Sequence, residues 1–555
     1  MPSLGRAADQ RRTPGSTPSL ATVPMTLRPV PPRPRGRGRL ARTLLAGALL
    51  AGCSGPKTER SGGPTATGFA DTASPTESGQ AGLATPRRER IPTSSTSARV
   101  GADHELDREG TQAADGVGDA YFPTAGNPGI DMQTVDLRLE WSPDARASEG
   151  QLQGVVAIDL LITASRQGVQ LDLRGLTVTN TRLDGTVVSF RQRAGELFVA
   201  ENQTLAAGST HAVEVTYHGN PEPIDDGAGV GFEVGWTTTE PGAYVANEPN
   251  GASTWLPIND HPSDKARYRL AVTVPDPLEV VAIGVGAPPV PGPRPGTSTW
   301  RFEARDPAAS YLVSLAIGDF DFHQDRAPRT AVAIRNAFPA GQGSHFEQVF
   351  APTGAMLDLF SDRFGPYPFE VYGVVVVDED LGYALENQTL SLFDAATNAN
   401  HPESTNIIAH ELAHQWFGNS VSVARWADIW LNEGFATYAE ALWHEAASAG
   451  YDIDAAMQRR WAGGASSFGP IGDPGRTGLF APAVYQRGGL TLHALRSTIG
   501  EETFFTVLRA WTDTYRAQAA TTQDFIELAS RLSGRRLDDF FQAWLFGPTM
   551  PPLPG

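Results

Sequence analysis

Two histidines four residues apart enclose a glutamate in the segment NIIAHELAHQWFGNS. If this segment is helical, His410 and His414 project from one face about 6 Å apart along the axis, so that both imidazoles can bind one tetrahedral zinc ion. Glu411 then lies beside the ion without binding it, where a carboxylate can take a proton from water. The alternative is two polar residues that share a helix face by chance, which a chain with 11 histidines produces on the order of 0.01 times.

A third candidate ligand, Glu433, follows His414 after eighteen intervening residues, in a helix predicted for WADIWLNEGFATYAEALWHEA. A glutamate among so many apolar residues is costly to bury without a partner, and a metal ion would remove that cost. Gly434 would weaken a helix that had only a structural role. Because a catalytic zinc site has three protein ligands and one open position, we predict one zinc ion per chain, held by His410, His414 and Glu433. The alternative is that Glu433 lies on a solvated helix face.

The segment with the two histidines carries local helix signals. Ser404 or Thr405 can cap its start, the apolar residues between them and the motif supply a buried face, and Gly418 can end it. We therefore expect the motif to lie near the end of a helix that begins at one of these caps.

The rest of the chain divides into two parts with different patterns of apolar and polar residues. Between 118 and 324, short runs such as GVVAIDLLITA and RYRLAVTVP alternate apolar with polar residues and break at Gly, Pro, Asn or Asp, which predicts an all-β domain. Between 325 and 555, the buried-strand run FEVYGVVVVDED gives way to helix-period segments. One of these has a capping-box pair, Thr521 and Asp524, and a glycine stop at Gly534. We therefore predict a multidomain α+β chain.

Four segments together resemble one known family. The His-Glu-x-x-His motif with a later glutamate inside WLNEGFATY resembles the aminopeptidase N and leukotriene hydrolase family of gluzincin zinc peptidases. GYALENQTLSLF is similar to that family's Gly-x-Met-Glu-Asn signature, and VYQRGGLTLHALRSTIG is similar to the segment that bears its catalytic tyrosine. YVANEPNGASTWLPINDHPSDKARY resembles a strip of its N-terminal β domain. The resemblance covers about residues 118–555.

This resemblance implies an antiparallel, saddle-like β domain at 118–324, followed by a thermolysin-like, mainly helical zinc peptidase domain at 325–555. The given sequence ends with WLFGPTMPPLPG. We therefore expect a short form without the large helical C-terminal domain of the longer family members, and a more open cleft.

The resemblance also implies roles for single residues. Glu386 would bind the free α-ammonium of a peptide, with Glu248 as a second, β-domain member of that anchor, and Tyr485 would donate a hydrogen bond to the developing oxyanion. From the residues alone, Tyr485 could equally be a packed tyrosine and Glu248 a surface acid at the end of a loop. Tyr383 and Leu385 stand where the signature has glycine and methionine, and these departures bear on side-chain preference.

The expected activity is therefore that of a zinc-dependent aminopeptidase, a hydrolase of peptide bonds. One alternative is a hydrolase of another type of peptide bond, such as an endopeptidase, which blocked and unblocked substrates would distinguish. Another is a catalytically silent binding protein that keeps the gluzincin fold. Such relatives usually lose zinc ligands or the base, whereas this chain has all four residues.

Composition limits the partners. The net charge of −18 over 555 residues argues against nucleic acid, because few cations are available to release phosphate counterions. With one cysteine, Cys53, the chain has no intramolecular disulfide and no Cys₄-type zinc site. The resemblance implies peptides with a free N-terminus as substrates, and we expect a monomer.

The N-terminal part has the pattern of an exported lipoprotein. Arginines precede the short apolar run TLLAGALLAGC, whose last four residues resemble the bacterial lipobox, so we predict a signal peptide at 1–53, with Met25 as an alternative start, and a lipidated Cys53. Residues 54–117 are rich in Ser, Thr, Gly and Pro and predict a disordered tether. We expect the protein on the outer face of a bacterial envelope membrane, anchored by that lipid; the alternative is an ordinary buried cysteine.

Overall fold

The computed structural model describes residues 116–554, apart from 145, 148–149, 226–227, 229–230, 396–403 and 465–466. The predicted signal segment, Cys53 and all but the last residues of the predicted tether lie outside these residues. Within the described part, the helices are too short or too polar to cross a membrane.

The first part of the described chain consists of strands whose apolar and polar residues alternate. In β1 (Ile130–Trp141), for example, Val135, Leu137 and Leu139 are buried while Arg138 is exposed. The strands that follow are β2 (Leu152–Ile162), β3 (Arg166–Asp172), β4 (Thr177–Leu183), β5 (Thr186–Val187), β6 (Phe190–Arg193), β7 (Glu196–Leu205), β8 (Thr210–Gly219), β9 (Gly235–Thr238), β10 (Ala243–Ala246), β11 (Lys265–Pro275), β12 (Glu279–Ala282), β13 (Val285–Pro291), β14 (Thr297–Ala309), β15 (Leu315–Gly318) and β16 (Phe320–Arg326).

The first fifteen of these strands form three sheets. Eight lie in the order β13-β14-β11-β1-β2-β8-β4-β5, four in the order β12-β15-β10-β9, and three in the order β3-β7-β6. The large sheet is antiparallel except where β1 pairs with β11 in parallel. The predicted β-rich first part of an α+β chain is therefore confirmed, with one parallel pair in its main sheet.

A further sheet separates two hydrophobic cores. β16 pairs with β17 (Ala333–Pro339), followed in order by β18 (Val374–Val377) and β19 (Ser391–Asp394). Because successive side chains of a strand point to opposite faces, two of the four buried valines of β18 join the helical core and the other two join the β core. The predicted boundary between 324 and 325 lies within β16, and the division into domains stays a prediction.

The last part of the described chain is mainly helical. The helices are α1 (Gly343–Val349), α2 (Thr353–Phe364), α3 (Ser404–Ala413), α4 (Trp430–Ala447), α5 (Ile453–Gly464), α6 (Pro482–Ile499), α7 (Glu501–Thr514), α8 (Thr522–Ser533) and α9 (Asp538–Phe541), with a π-helical turn at Gln542–Phe546. Short 3₁₀ helices lie at Ala252–Thr254, Ser310–Leu312, Trp426–Asp428 and Arg476–Gly478, and β20 (Val421–Val423) pairs with β21 (Gln518–Ala520).

The predicted ends of α8 are confirmed. The α3 helix begins at Ser404, as expected, but its predicted end needs correction. Thr521 and Asp524 form a reciprocal capping box, and Gly534 closes α8 in the left-handed conformation. The regular part of α3, however, ends at Ala413, five residues before the predicted stop at Gly418. His414 still follows the helical path because its N–H donates to the carbonyl of His410, 3.2 Å away.

Two glycines let α4 and α6 cross in direct backbone contact. A Cβ added to Gly434 would lie 2.8 Å from the Cα of Gly488, and a Cβ on Gly488 would lie 2.6 Å from the Cα of Gly434. From the sequence, Gly434 was expected to weaken a helix that had only a structural role. Its packing role is that it brings the backbones of Glu433 and Tyr485 close to one crossing point.

We predict that Gly434→Ala lowers the free energy of unfolding by about 1–3 kcal/mol, because the added methyl group must push the two helices apart. The measurement is denaturant unfolding followed by circular dichroism. Gly463→Ala is the matched control, since Gly463 is an exposed residue of α5 and its Cβ would meet nothing within 4 Å. That control should gain up to about 1 kcal/mol from helix propensity. Equal effects at the two positions would contradict the close crossing.

Candidate active site

The structure brings the three predicted zinc ligands together. His410 lies in the last turn of α3, His414 in the turn that follows, and Glu433 in the first turn of α4. All three side chains are buried, and each offers one ligand atom within 4.8 Å of the other two. Two imidazole nitrogens and a carboxylate oxygen are a donor set that zinc accepts, so these residues fit one zinc ion.

Hydrogen bonds fix which nitrogen of each imidazole faces the shared centre. The Nδ1 of His414 lies 3.0 Å from the carbonyl oxygen of Phe417, which can only accept, so Nδ1 carries the proton. The Nδ1 of His410 donates in the same way to Glu440, 2.9 Å away. Both Nε2 atoms are left to face Glu433 Oε2, at 3.1 Å from His410 and 3.5 Å from His414. Both Nε2 atoms, and not the Nδ1 atoms, therefore face the place where an ion would bind.

Glu440 was not predicted from the sequence. It lies on α4 two turns after Glu433, and therefore on the same helix face. That spacing of seven residues is a signal that could have found it. A carboxylate that accepts from the second nitrogen of a metal-binding histidine orients the ring and raises its basicity.

The charges of the site shift its pKa values strongly. Burial raises the pKa of Glu433, but the neighbouring histidines outweigh burial and hold that pKa at about 2. Burial lowers the pKa of His414, yet the carboxylates of Glu386 and Glu433 raise it to about 9. The carboxylates of Glu433 and Glu440 likewise raise the pKa of His410 well above its usual value, against the effect of burial. The site favours positive charge at its centre.

Glu411 lies beside this set. It is buried, and one of its oxygens lies within 4.8 Å of ligand atoms of His414 and Glu386. Burial raises the pKa of Glu411 to about 8, while His410 and His414 act to lower it. A positive charge at the ligand set would lower that pKa further and favour the carboxylate form.

Glu386 and Glu248 enter the site from two separate turns. Glu386 begins the turn before β19, where Leu385 and Leu392 exchange backbone hydrogen bonds of 2.9 and 2.8 Å. Glu248 follows β10 in a turn whose Asn247 donates from Nδ2 to Val313, 2.6 Å away. Both glutamates are buried, so the reading of Glu248 as a surface acid does not fit its position. Burial and the nearby carboxylates raise the pKa of Glu248 well above its usual value.

Two side chains beyond the histidine motif hold the Glu386 turn. Gln415 Nε2 and Asn419 Nδ2 both donate to the backbone carbonyl of Glu386, at 2.9 and 2.6 Å. Gln415 Oε1 also accepts from the N–H of Thr389, 2.8 Å away. The segment that carries the zinc-ligand candidates thus sets the position of Glu386 directly. Neither residue was predicted, because their partners are distant in sequence.

Lys265 joins the β region to the same segment. Its Nζ donates to the carbonyls of Asn419 and Ser420, at 2.7 and 3.0 Å. Burial lowers the pKa of Lys265 to about 7. Tyr311 adds a second link from the β region, since its hydroxyl donates to the carbonyl of Gly418, 3.2 Å away.

Tyr485 lies on the first turn of α6 and stacks on a ligand candidate. Its ring and that of His410 have centroids 5.8 Å apart and planes 22° apart. Burial, followed by the charges of Glu433 and Glu248, raises the pKa of Tyr485 well above its usual value. The hydroxyl therefore keeps its proton and can donate a hydrogen bond.

Family descriptions and known proteins match the chain. The Peptidase M1 N-terminal domain matches residues 133–312, and the Peptidase family M1 domain matches residues 350–544. Aminopeptidase M1 of Arabidopsis thaliana is 25% identical over 448 residues, which are 74% of this chain and 49% of that protein. Aminopeptidase N of Homo sapiens is 30% identical over 296 residues, 47% of this chain and 30% of that protein. The chain therefore spans about half, or less, of the length of these curated relatives.

Solved structures give a match of nearly full length. An M1 zinc metallopeptidase of Deinococcus radiodurans matches with a TM-score of 0.73 and 33% identity, over 79% of this chain and 99% of that chain. A mutant of that peptidase bound to a Tyr-Ser-Ala substrate matches with the same values. The likeness thus extends over the whole of that protein and includes both the strand-rich and the helical parts of this chain.

We predict that Glu440→Gln weakens zinc binding by about 10–100-fold, because His410 loses the carboxylate that orients its ring. The measurement is a competition titration of zinc against a chromophoric chelator. Glu445→Gln is the matched control: Glu445 lies on the same helix but pairs with Arg496, 3.0 Å away. Equal zinc affinities in the two variants would contradict the assigned contact.

Proposed function

Because the chain belongs to the peptidase M1 family, we propose that it is a zinc-dependent aminopeptidase, which releases N-terminal residues from peptides. The observation that carries the proposal is the meeting of two groups in one buried site: the ligand set His410, His414 and Glu433, and the carboxylates of Glu386 and Glu248. The first group suits a catalytic metal ion. The second suits the positive end of a peptide.

His410, His414 and Glu433 would hold the zinc ion. When bound, zinc supplies a Lewis acid that polarises a peptide carbonyl and makes water a nucleophile at neutral pH. Glu440 keeps His410 in the tautomer that binds through Nε2, and the carbonyl of Phe417 does the same for His414.

Glu411 is the proposed general base. Its side chain lies beside the ligand set, where the positive charge of a bound zinc ion would favour the carboxylate form. In that form it can accept a proton from the attacking water and pass it to the leaving amine. Tyr485, whose hydroxyl keeps its proton, is the proposed donor to the developing oxyanion.

Glu386 and Glu248 are the proposed anchor for the substrate's α-ammonium. A buried pair of carboxylates gains most from a cation, and the free N-terminus supplies one, whereas an internal peptide segment does not. The hydrogen bonds from Gln415 and Asn419 fix the distance between this anchor and the ligand set. That fixed distance would limit cleavage to the first peptide bond.

We also propose that the chain is exported and anchored by lipid at Cys53 to the outer face of a bacterial envelope membrane, with its catalytic part acting as a monomer. Support comes from the arginines, the short apolar run and the Leu-Ala-Gly-Cys sequence that precede the Ser/Thr/Gly/Pro-rich segment. Metabolic labelling with a palmitate analogue tests it, and a Cys53→Ala variant that still takes up the label would overturn it.

We predict that the zinc-loaded chain hydrolyses leucine p-nitroanilide and leaves N-acetylleucine p-nitroanilide intact, because acetylation removes the cation that Glu386 and Glu248 bind. Release of p-nitroaniline measures both reactions. Removal of zinc with 1,10-phenanthroline should abolish hydrolysis, and added zinc should restore it. Equal rates on the blocked and unblocked substrates would contradict the aminopeptidase assignment and favour another peptide-bond specificity.

We predict that Glu411→Gln lowers kcat/KM by about 10²–10⁴-fold, because the amide cannot accept the proton. The zinc content of the variant, measured by atomic absorption, should stay at one ion per chain, since Glu411 is outside the ligand set. Glu502→Gln is the control, because Glu502 is an exposed acid on the first turn of α7. A Glu411→Gln enzyme that keeps its zinc and its activity would overturn the assigned role.

A further inference from the structure

Three carboxylates form a cluster next to the zinc-ligand set. Glu248, Glu386 and Glu433 each offer an oxygen within 4.8 Å of the other two. All three are at most 5% exposed. The cluster contains no imidazole, and it shares one member, Glu433, with His410 and His414.

Two carboxylate oxygens of the cluster are buried and accept no hydrogen bond within the described part of the chain. Glu248 Oε1 and Glu386 Oε1 are buried, and neither receives a hydrogen bond from the described residues. A buried acceptor without a donor costs about 1–3 kcal/mol, and a charged acceptor costs more. Two features thus point to a cation as ligand: the approach of three carboxyl groups, and the buried, unpartnered Oε1 atoms of two of them.

Within the described residues, neighbouring cationic side chains do not neutralise Glu248 and Glu386. The positive groups that act most strongly on Glu386 are His414 and His410, and both are neutral when they bind a metal ion. The strongest charges around Glu248 are the carboxylates of Glu386, Glu433 and Glu411. No cationic side chain among the described residues donates a hydrogen bond to Oε1 of Glu248 or to Oε1 of Glu386.

The donor set indicates which cation fits. Oxygen-only sites suit hard divalent ions such as Mn²⁺, Mg²⁺ and Ca²⁺, whereas the set with two imidazoles suits zinc. We propose that Glu248, Glu386 and Glu433 form a second, all-carboxylate metal site, which takes a hard divalent cation when no peptide is bound and loses it to the peptide's α-ammonium. Glu433 bridges the two sites. The competition part of this proposal rests on the proposed aminopeptidase function.

The consequence is inhibition by metal ions that involves no exchange of the catalytic zinc. An ion at the second site takes the place of the substrate's amino group, so it raises KM and leaves kcat unchanged. Because the order of metal affinities places Mn²⁺ well below Zn²⁺ at a mixed nitrogen and oxygen site, Mn²⁺ can probe the second site without displacing zinc from the first.

The test is a titration of the full, zinc-loaded chain with Mn²⁺, in which bound ions are counted by the loss of the free Mn²⁺ signal in electron paramagnetic resonance. We expect one Mn²⁺ per chain above any weak background. Leucinamide should displace this ion, and N-acetylleucinamide should not. In Glu248→Gln the Mn²⁺ affinity should fall at least about tenfold, while the zinc content stays at one.

Two controls distinguish Mn²⁺ binding at this site from binding to the acidic surface, and a loss of binding from misfolding. Glu502→Gln removes one exposed charge and should leave Mn²⁺ binding unchanged. Glu248→Gln is isosteric and relieves repulsion, so the metal-free variant should unfold at the same or a higher denaturant concentration than the parent. If it fails to fold, Glu386→Gln serves in its place, with the same expected loss of Mn²⁺.

Several results would overturn the proposal. They are no stoichiometric Mn²⁺ on the zinc-loaded chain, an affinity unchanged by Glu248→Gln, or a loss of the same size in Glu502→Gln, which would indicate adventitious surface binding. Bound Mn²⁺ that leucinamide does not displace would overturn the competition. Because Mn²⁺ is counted by resonance and not by turnover, a chain without peptidase activity would still show whether the second metal site exists.

Discussion

The structure depends on keeping a surplus of negative charge out of water. Glu248, Glu386, Glu411 and Glu433 are buried around two imidazoles, and Glu440 adds a fifth carboxylate behind His410. Isolated charges in such a place would cost many kcal/mol, so these groups keep their charge only together with cations. A metal ion on the histidine side and an ammonium group or second ion on the other side meet that condition. The same surplus that would destabilise an empty site makes the filled site selective for positive charge.

The rest of the fold holds these carboxylates at fixed distances. The direct contact of Gly434 with Gly488 brings Glu433 and Tyr485 to one helix crossing. The amides of Gln415 and Asn419 connect the zinc-ligand segment to the Glu386 turn. The β region contributes Glu248 through the turn after β10. Each link is a short, specific contact, so a change at any of them moves one charge relative to the others.

Much of this arrangement could be predicted because it depends on residues that are close together in the sequence. Two histidines at i and i+4, and a glutamate inside an apolar helix, predict a shared ligand set whatever the rest of the chain does. The capping box of Thr521 and Asp524 is local in the same way. The β-rich first part followed from alternation alone, although the parallel pairing of β1 with β11 did not, because pairing direction depends on the connection and not on the strand's own pattern.

The parts that escaped prediction depend on residues far apart in sequence. Gln415 and Asn419 follow the motif directly, but their acceptor, the carbonyl of Glu386, lies 29 and 33 residues away. The packing role of Gly434 could not be predicted either, because its partner Gly488 belongs to another helix. The end of α3 at Ala413 also differs from the expected stop, because the backbone turns early and Gly418 instead bonds to Val421.

Lys265 has a consequence of a different kind. The chain has two lysines, Lys57 and Lys265, so within residues 116–554 every other basic side chain of the Lys/Arg type is an arginine. The single amine of that part is held by the carbonyls of Asn419 and Ser420, at the contact between the β region and the zinc-ligand segment. An amine-directed acylating reagent therefore has one target there. Acylation of Lys265 would replace the amine that joins the two regions by a bulkier amide.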